Sequence, residues 1–211
     1  CPCSFRMTKR LGETVYKETA FGILPRSKLI PLEIEGIKRA WDYVLRHRQK
    51  KKLPFTSMFL KEVHKVGFRW IFPETGGKFR MVDVTVSAHK PPKFYEVAQY
   101  MEDFCRDLQE RFRHLPTIDK PDFFDAIIEL LPWAHHRFLW IHPFQDYNGR
   151  IGRLLINMIL LNLDLPPIEL QVETTARRKK YIQALQASDH GDYQLLQNIV
   201  RSAMNEAAQS V

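Results

Sequence analysis

The sequence is poor in cysteine, with three in 211 residues. Cys1 and Cys3 are too close together to staple a structural loop, and Cys105 falls in a helical pattern. A disulfide framework is therefore not expected, which suits a reducing compartment and a cytoplasmic location. Long hydrophobic runs are lacking too. The run Leu154 to Leu161 is interrupted by Asn157 and ended by Asn162, Asp164 and Pro166-Pro167. It falls short of the ~20 apolar residues a membrane-spanning helix needs, so no membrane partner is expected. No secretory signal opens the chain, and no internal repeat or low-complexity tract appears. Zinc-finger spacing and RNA-binding aromatic signatures are also absent.

A chain of 211 residues with 45% hydrophobic and 27% charged content suffices for one well-buried domain and argues against global disorder. The net charge of +8 is concentrated in two runs, Arg46-His47-Arg48-Gln49-Lys50-Lys51-Lys52 and Arg177-Arg178-Lys179-Lys180. Such runs are most often solvated faces or helix ends, so no nucleic-acid partner is expected.

Residues 1–30 show little periodicity and read as an irregular arm ahead of a domain over 31–211. A helix is expected from Pro31 to Arg48, since Ile34, Ile37, Ala40, Trp41, Val44 and Leu45 recur near helical spacing. Thr56 or Ser57 caps a second through Leu60, Val63 and Val66. Gly76-Gly77 marks a turn, and Val82, Val84 and Val86 alternate with Asp83 and Thr85, the best strand signal in the chain. Pro91-Pro92 ends it. Helices follow over about 95–112 and 122–140, the latter expected to bend at Pro132. Ile168, Leu170 and Val172 suggest a short strand. Two more helices begin near Thr174 and Asp192. The fold class is mostly helical, with one small β-hairpin.

Chemistry is concentrated in Ile141-His142-Pro143-Phe144-Gln145-Asp146-Tyr147-Asn148-Gly149-Arg150-Ile151-Gly152-Arg153. His142 is the one residue there that accepts a proton near neutral pH at little cost. Asp146 is an acceptor suited to Mg²⁺, which takes one or two carboxylates together with phosphate oxygens. Gly149 and nearby N–H groups at a helix start make an anion nest. Arg150 and Arg153, three apart on one face of the first turn, suit phosphate oxygens. Read singly, each residue has a plain alternative as a cap or a core ion pair.

The stretch resembles the signature of the Fic family, His-Pro-Phe-x-(Asp/Glu)-Gly-Asn-Gly-Arg-x-x-Arg, matched at His142, Pro143, Phe144, Asp146, Asn148, Gly149, Arg150 and Arg153. Gly77-Lys78-Phe79-Arg80 with the alternating valines and Pro91-Pro92 is similar to that family's β-hairpin flap, here about 76–92. Ala134 to Phe138 and Tyr181 to Leu185 with Gly191-Asp192 extend the likeness to roughly 33–205. The resemblance implies a helical Fic domain that transfers AMP from ATP to a Ser, Thr or Tyr hydroxyl of a target protein. It implies His142 as general base and Asp146 as the Mg²⁺ ligand of the active-site loop 142–153. Phe144, Tyr147, Asn148, Gly149, Arg150 and Arg153 would serve the nucleotide and its phosphates. The flap residues Phe79, Arg80, Met81, Val82, Asp83 and Val84 would dock the target by strand addition.

Tyr147 departs from the pattern, standing where the family has Gly or in some branches Ala. Either its ring faces away from the phosphate nest or it crowds it and changes donor or rate. UMP, phosphocholine and phosphate donors are the alternatives, and a catalytically weak binding module is another. Members of this family also resemble one another in an inhibitory helix, (Ser/Thr)-x-x-x-Glu-(Gly/Asn). Glu35 follows Pro31 rather than Ser or Thr at the fourth position before it, and reads as a decoy. Ser202 with Glu206, and Thr14 with Glu18, share the spacing, and Glu206 is carried as the inhibitory candidate. A separate antitoxin-like inhibitor and homo-oligomerisation are the other partners considered.

Overall fold

A computed structural model describes residues 16–86 and 89–209. Strands β1 (Tyr16–Thr19) and β2 (Gly22–Pro25) form an antiparallel hairpin that runs directly into α1 (Arg26–Arg48). There follow α2 (Ser57–Phe68), a 3-10 turn (Phe94–Glu96), α3 (Val97–Arg113), α4 (Phe123–Ile141), α5 (Asn148–Asn162), α6 (Thr175–Ser188) and α7 (Gln194–Gln209). The mostly helical expectation holds.

Helices α4 and α5 form the centre. Ile127, Leu131, Ala134, Phe138 and Ile141 of α4 and Ile151, Leu155, Met158 and Ile159 of α5 are fully buried. Neighbours cover α4 on several sides, α3 and α7 among them, while α1 crosses α2 and touches α5. The α1–α2 crossing depends on glycine. A Cβ on Gly36 would lie 2.5 Å from the Gly67 carbonyl oxygen, so any side chain there would push the helices apart.

Caps follow the sequence signals. Thr56 accepts from the Phe59 N–H at 3.1 Å, Thr174 caps α6, and Asp192 accepts from Gln194 N–H at 3.0 Å. The basic run at the end of α1 also has a local use. Arg48 Nε donates to the Leu161 carbonyl at 2.8 Å and pairs with Asp164, and Lys52 reaches the Asn162 carbonyl. These cations cap the negative end of α5.

Three expectations need correction. Within the supposed arm of residues 1–30, residues 16–30 are ordered as the hairpin and the first turn of α1; residues 1–15 lie outside the described part. The alternating valines make no strand ladder. Residues 76–86 run extended or in turns, and one bridge, Val86 to His89, closes the segment. No neighbouring strand lies beside it among the described residues, so an extended backbone with the right alternation goes unpaired. The segment at Ile168 and Leu170 is buried but not a strand. Asn157 brackets Ile168, accepting from its N–H at 2.8 Å and donating to its carbonyl at 3.0 Å. One side-chain amide takes the place of a strand partner.

Candidate active site

The loop between α4 and α5 begins and ends on left-handed backbone. His142 has φ 51° and ψ 59°, and its N–H donates to the Phe138 carbonyl, closing α4. Tyr147 has φ 65° and ψ 12° at the start of α5. Non-glycine residues in this region cost about 1–2 kcal/mol each, so the surroundings must hold them.

Arg80 holds the first. It is 2% exposed, and its guanidinium makes no ion pair among the described residues, the nearby Asp83 acting on it only at longer range. Instead Nε donates to the His142 carbonyl at 2.8 Å, Nη1 to Val82 at 3.0 Å, and Nη2 to Pro92 at 2.5 Å and Ile141 at 3.4 Å. Its backbone N–H donates to the Pro143 carbonyl at 2.9 Å. One side chain therefore ties the flap to the turn that presents His142.

The second half is closed by Asn148 and His64. Asn148 brackets Phe144, accepting from its N–H at 2.9 Å and donating to its carbonyl at 2.8 Å. His64 stacks on Phe144 with centroids 3.9 Å apart. Its Nδ1 accepts from the Gly77 N–H at 2.9 Å, so Nε2 carries the proton and donates to the Asp146 carbonyl at 3.2 Å. Gly77 sits at φ 81°, where a side chain would be strained, and a Cβ would press within 2.5 Å of Lys65.

Burial pushes the His142 imidazole down to about 4, helped by the nearby Arg80 and His89 and opposed by a hydrogen bond to the Leu139 backbone. At neutral pH the ring is uncharged. An uncharged imidazole keeps one ring nitrogen as a donor and the other as an acceptor.

His142, Asp146, Gly149, Arg150 and Arg153 all line one cavity of about 570 Å³, a size suited to a small-molecule ligand. Apolar residues also line it, among them Leu139, Trp140, Val172, Ile182 and Leu185. Three lining residues come from the N-terminal segment: Lys17, Arg26 and Glu33. Glu33 is 1% exposed and gathers several contacts. Arg150 Nη2 donates to it at 2.8 Å, the Tyr147 hydroxyl donates at 2.9 Å, and Arg26 pairs with the same carboxylate. Arg150 Nη1 is buried with no partner among the described residues. Glu33→Gln keeps the shape but leaves two guanidiniums under-compensated. A loss of about 1–3 kcal/mol in urea-melt stability is expected.

Tyr147 resolves between its two expected orientations. Its ring lies flat on Phe68, centroids 4.0 Å and planes 7° apart, with Phe72 beside it, while one side contributes to the cavity wall. Burial and the Glu33 carboxylate hold the phenol protonated well above its usual value.

Other expected site residues are held by partners of their own. Phe144 is completely buried and does not line the cavity, whereas Asn148 lines it with its side-chain amide spent on the Phe144 backbone. In the flap, Arg80 is buried and bonded to the chain's own carbonyls, which makes it a pin and not a docking residue. Phe79 packs toward Phe144. Asp83 pairs with Lys93 at 2.8 Å and accepts from the Phe94 N–H at 3.0 Å. Met81 and Val82 are the exposed ones, at 75% and 52%, and Val84 is half-buried. Glu206 sits on the exposed face of α7, bonded to Gln171 at 2.8 Å, and does not line the cavity. Glu35 pairs with Arg39 one turn away at 2.9 Å, as a decoy would. Thr14 lies outside the described residues. His135 bonds the Tyr181 hydroxyl at 2.6 Å and His136 bonds Asp189 at 2.9 Å, and no metal cluster occurs among the described residues.

Lys17, Glu33 and His64 were missed by sequence reasoning. Glu33 had a signal: it falls on the buried stripe Leu29, Gly36, Ala40, Val44, where an acid has no reason to be unless paired. His64 likewise interrupts the apolar face of Leu60, Val63 and Phe68. Lys17 had none.

Of the carboxylates on the cavity, Glu33 is taken by Arg26 and Arg150 and Asp189 by His136, so a Mg²⁺ ion would be held by Asp146, with its remaining ligands left to phosphate and water. That is the ion's usual habit beside nucleotides, and Arg150, which lines the cavity, keeps an unspent donor in Nη1, so the residues fit the pair.

Comparison with known proteins supplies relatives for this arrangement. A protein named protein adenylyltransferase Fic from Nematostella vectensis is 30% identical over 175 residues, covering 83% of this chain and 38% of its own. The namesake from Drosophila erecta is 32% identical over 160 residues, 76% of this chain and 30% of its own. The chain thus spans about a third of the length of these curated relatives. Among solved structures, Fic-1 (residues 134–508) from C. elegans superposes with a TM-score of 0.66 at 24% identity, covering 84% of this chain and 49% of that one. BepC from Bartonella tribocorum, solved with bound AMPPNP, gives 0.69 at 15% identity, covering 91% and 93%. The sequence profile of the Fic/DOC family matches residues 54–160, which include α2, the flap, the active-site loop and nearly all of α5, and the chain belongs to that family.

Proposed function

We propose that this chain transfers AMP from ATP to a hydroxyl side chain of a target protein. The observation that carries the reading is the uncharged His142 on the same cavity as Asp146 and an arginine with a buried, unpartnered Nη1. The apolar wall around Trp140 and Leu185 suits a nucleobase, and the α5 end suits the phosphates. The acceptor hydroxyl gives its proton to the free nitrogen of His142 as its oxygen bonds the α-phosphorus. The bond from that phosphorus to the pyrophosphate oxygen breaks, and pyrophosphate leaves. Arg150 and the first-turn N–H groups stabilise the charge that builds on the phosphoryl oxygens. Bound Mg²⁺ would be held by Asp146 and would neutralise phosphate charge.

The target would enter along the flap. Its backbone lies beside no neighbouring strand among the described residues, and Met81 and Val82 are exposed, which suits main-chain hydrogen bonding to an incoming strand. Because such bonding is sequence-tolerant, the hydroxyl's position relative to His142 selects the site more than its neighbours do.

The test is incubation with Mg²⁺ and ATP labelled at the α-phosphate, in parallel with labelled UTP and CDP-choline and with ATP labelled at the γ-phosphate. Label from α-labelled ATP in protein, lost in His142→Ala, is the expected result. Equal label in both proteins, or label from another donor alone, overturns the reading.

A further inference from the structure

We propose that Lys17 and a divalent cation are alternative occupants of the Asp146 carboxylate, so that the N-terminal hairpin sets how tightly the site takes its metal. The inference rests on the reading of Asp146 given above. Lys17 Nζ lies 2.7 Å from Asp146 Oδ1. The same ammonium stands over the Tyr147 ring at 5.7 Å and the Phe72 ring at 5.8 Å. Three contacts from three separate residues make this a built seat rather than a loose surface pair. The seat also gives Tyr147 a use that glycine would not supply, since its ring is part of the shelf.

The hairpin that carries Lys17 is itself fastened. The Ala20 N–H donates to the Ile71 carbonyl at 2.8 Å, and Phe21 packs edge-on against Trp70 at 5.8 Å. Its other end continues into α1. The backbone therefore holds the lysine stem near the carboxylate, while the four-carbon chain leaves the ammonium free to swing.

An ammonium on Oδ1 stands where an inner-sphere cation would bind at about 2.1 Å. The two positive charges repel, and neither shares that oxygen lone pair with the other. A metal bound at Oδ1 would have to lift Lys17 away. The carboxylate is meanwhile paired with Lys17 in a cavity that Glu33 also lines.

The experiment measures Mn²⁺ binding to the 211-residue chain in the presence of AMPPNP, by loss of the free-ion electron paramagnetic resonance signal. Lys17→Met and Lys17→Gln are each expected to bind Mn²⁺ roughly two- to fivefold more tightly than wild type, the worth of a partly exposed ion pair. Lys17→Arg is expected to stay near wild type, and added salt to narrow the gap. Unchanged or weaker Mn²⁺ affinity in both neutral variants, with their unfolding temperatures intact, overturns the proposal; weaker affinity would mark Lys17 as a phosphate ligand instead. Asp146→Asn separates the two layers. If it loses Mn²⁺ while the Lys17 variants match wild type, the Lys17 inference alone fails. If it binds Mn²⁺ like wild type, the Asp146 reading fails and takes the inference with it.

Discussion

Replacing Arg80 with alanine is expected to destabilise the protein by about 3–5 kcal/mol and to abolish transfer even where the chain remains folded. The guanidinium is buried without an ion pair among the described residues, and backbone carbonyls of Val82, Pro92, Ile141 and His142 accept its hydrogen bonds. Removing it strands those acceptors and releases the left-handed turn at His142. For a chain of this size the loss amounts to a fall of roughly 6–20 °C in unfolding temperature, read by calorimetry. Arg80→Lys is the informative companion. It keeps the charge but cannot fork toward several carbonyls, so it should recover part of the stability and little of the activity. Full activity in Arg80→Lys would show that the fork does not position His142.

Mild acid is expected to unfold the protein well before its carboxylates titrate. Burial holds His64 at about 4, His135 at about 3 and His142 at about 4. These values lie below that of a free imidazole, about 6.5, so the unfolded chain binds more protons than the folded one between pH 6.5 and 4. Stability therefore falls as pH falls through that window. By pH 5 each ring contributes a loss of about 2 kcal/mol, or about 6 kcal/mol for the three, against a typical total of about 5–15 kcal/mol. Urea midpoints measured from pH 7.5 to 5 should drop steeply, with a shallower slope in a His135→Gln variant. A flat profile over that range would contradict the uncharged burial of these rings. The site should also come apart first at His64, because a proton on its Nδ1 removes the acceptor that holds the Gly77 N–H.

Most of the helical frame was legible because it rests on local rules. Thr56 and Thr174 cap where their side chains can reach back, and α2 and α6 start beside them. The loop from His142 to Arg153 was legible for a different reason: its chemistry is contiguous in sequence. What stayed hidden was made by distant pairs. Lys17 meets Asp146 across 129 positions and Glu33 meets Arg150 across 117, and neither partner carries a mark of the other. Arg80 was placed among the docking residues by the likeness of its segment to a flap; its burial depends on carbonyls that only the folded turn gathers. The valines at 82, 84 and 86 misled in the opposite direction. Alternation reports an extended backbone, and pairing needs a neighbour that the helical frame does not supply.

That open backbone edge is also a hazard to solubility. An unpaired extended segment flanked by Met81 and Val82 is a template for joining with another copy of itself. The chain blunts it with charge and closure: Asp83 is tied to Lys93, the Val86–His89 bridge folds the end back, and Pro91-Pro92 denies it further donors. The edge is left long enough to receive a strand briefly and too short and too charged to stack indefinitely. Concentrated preparations lacking the Asp83 charge should therefore scatter light sooner than wild type.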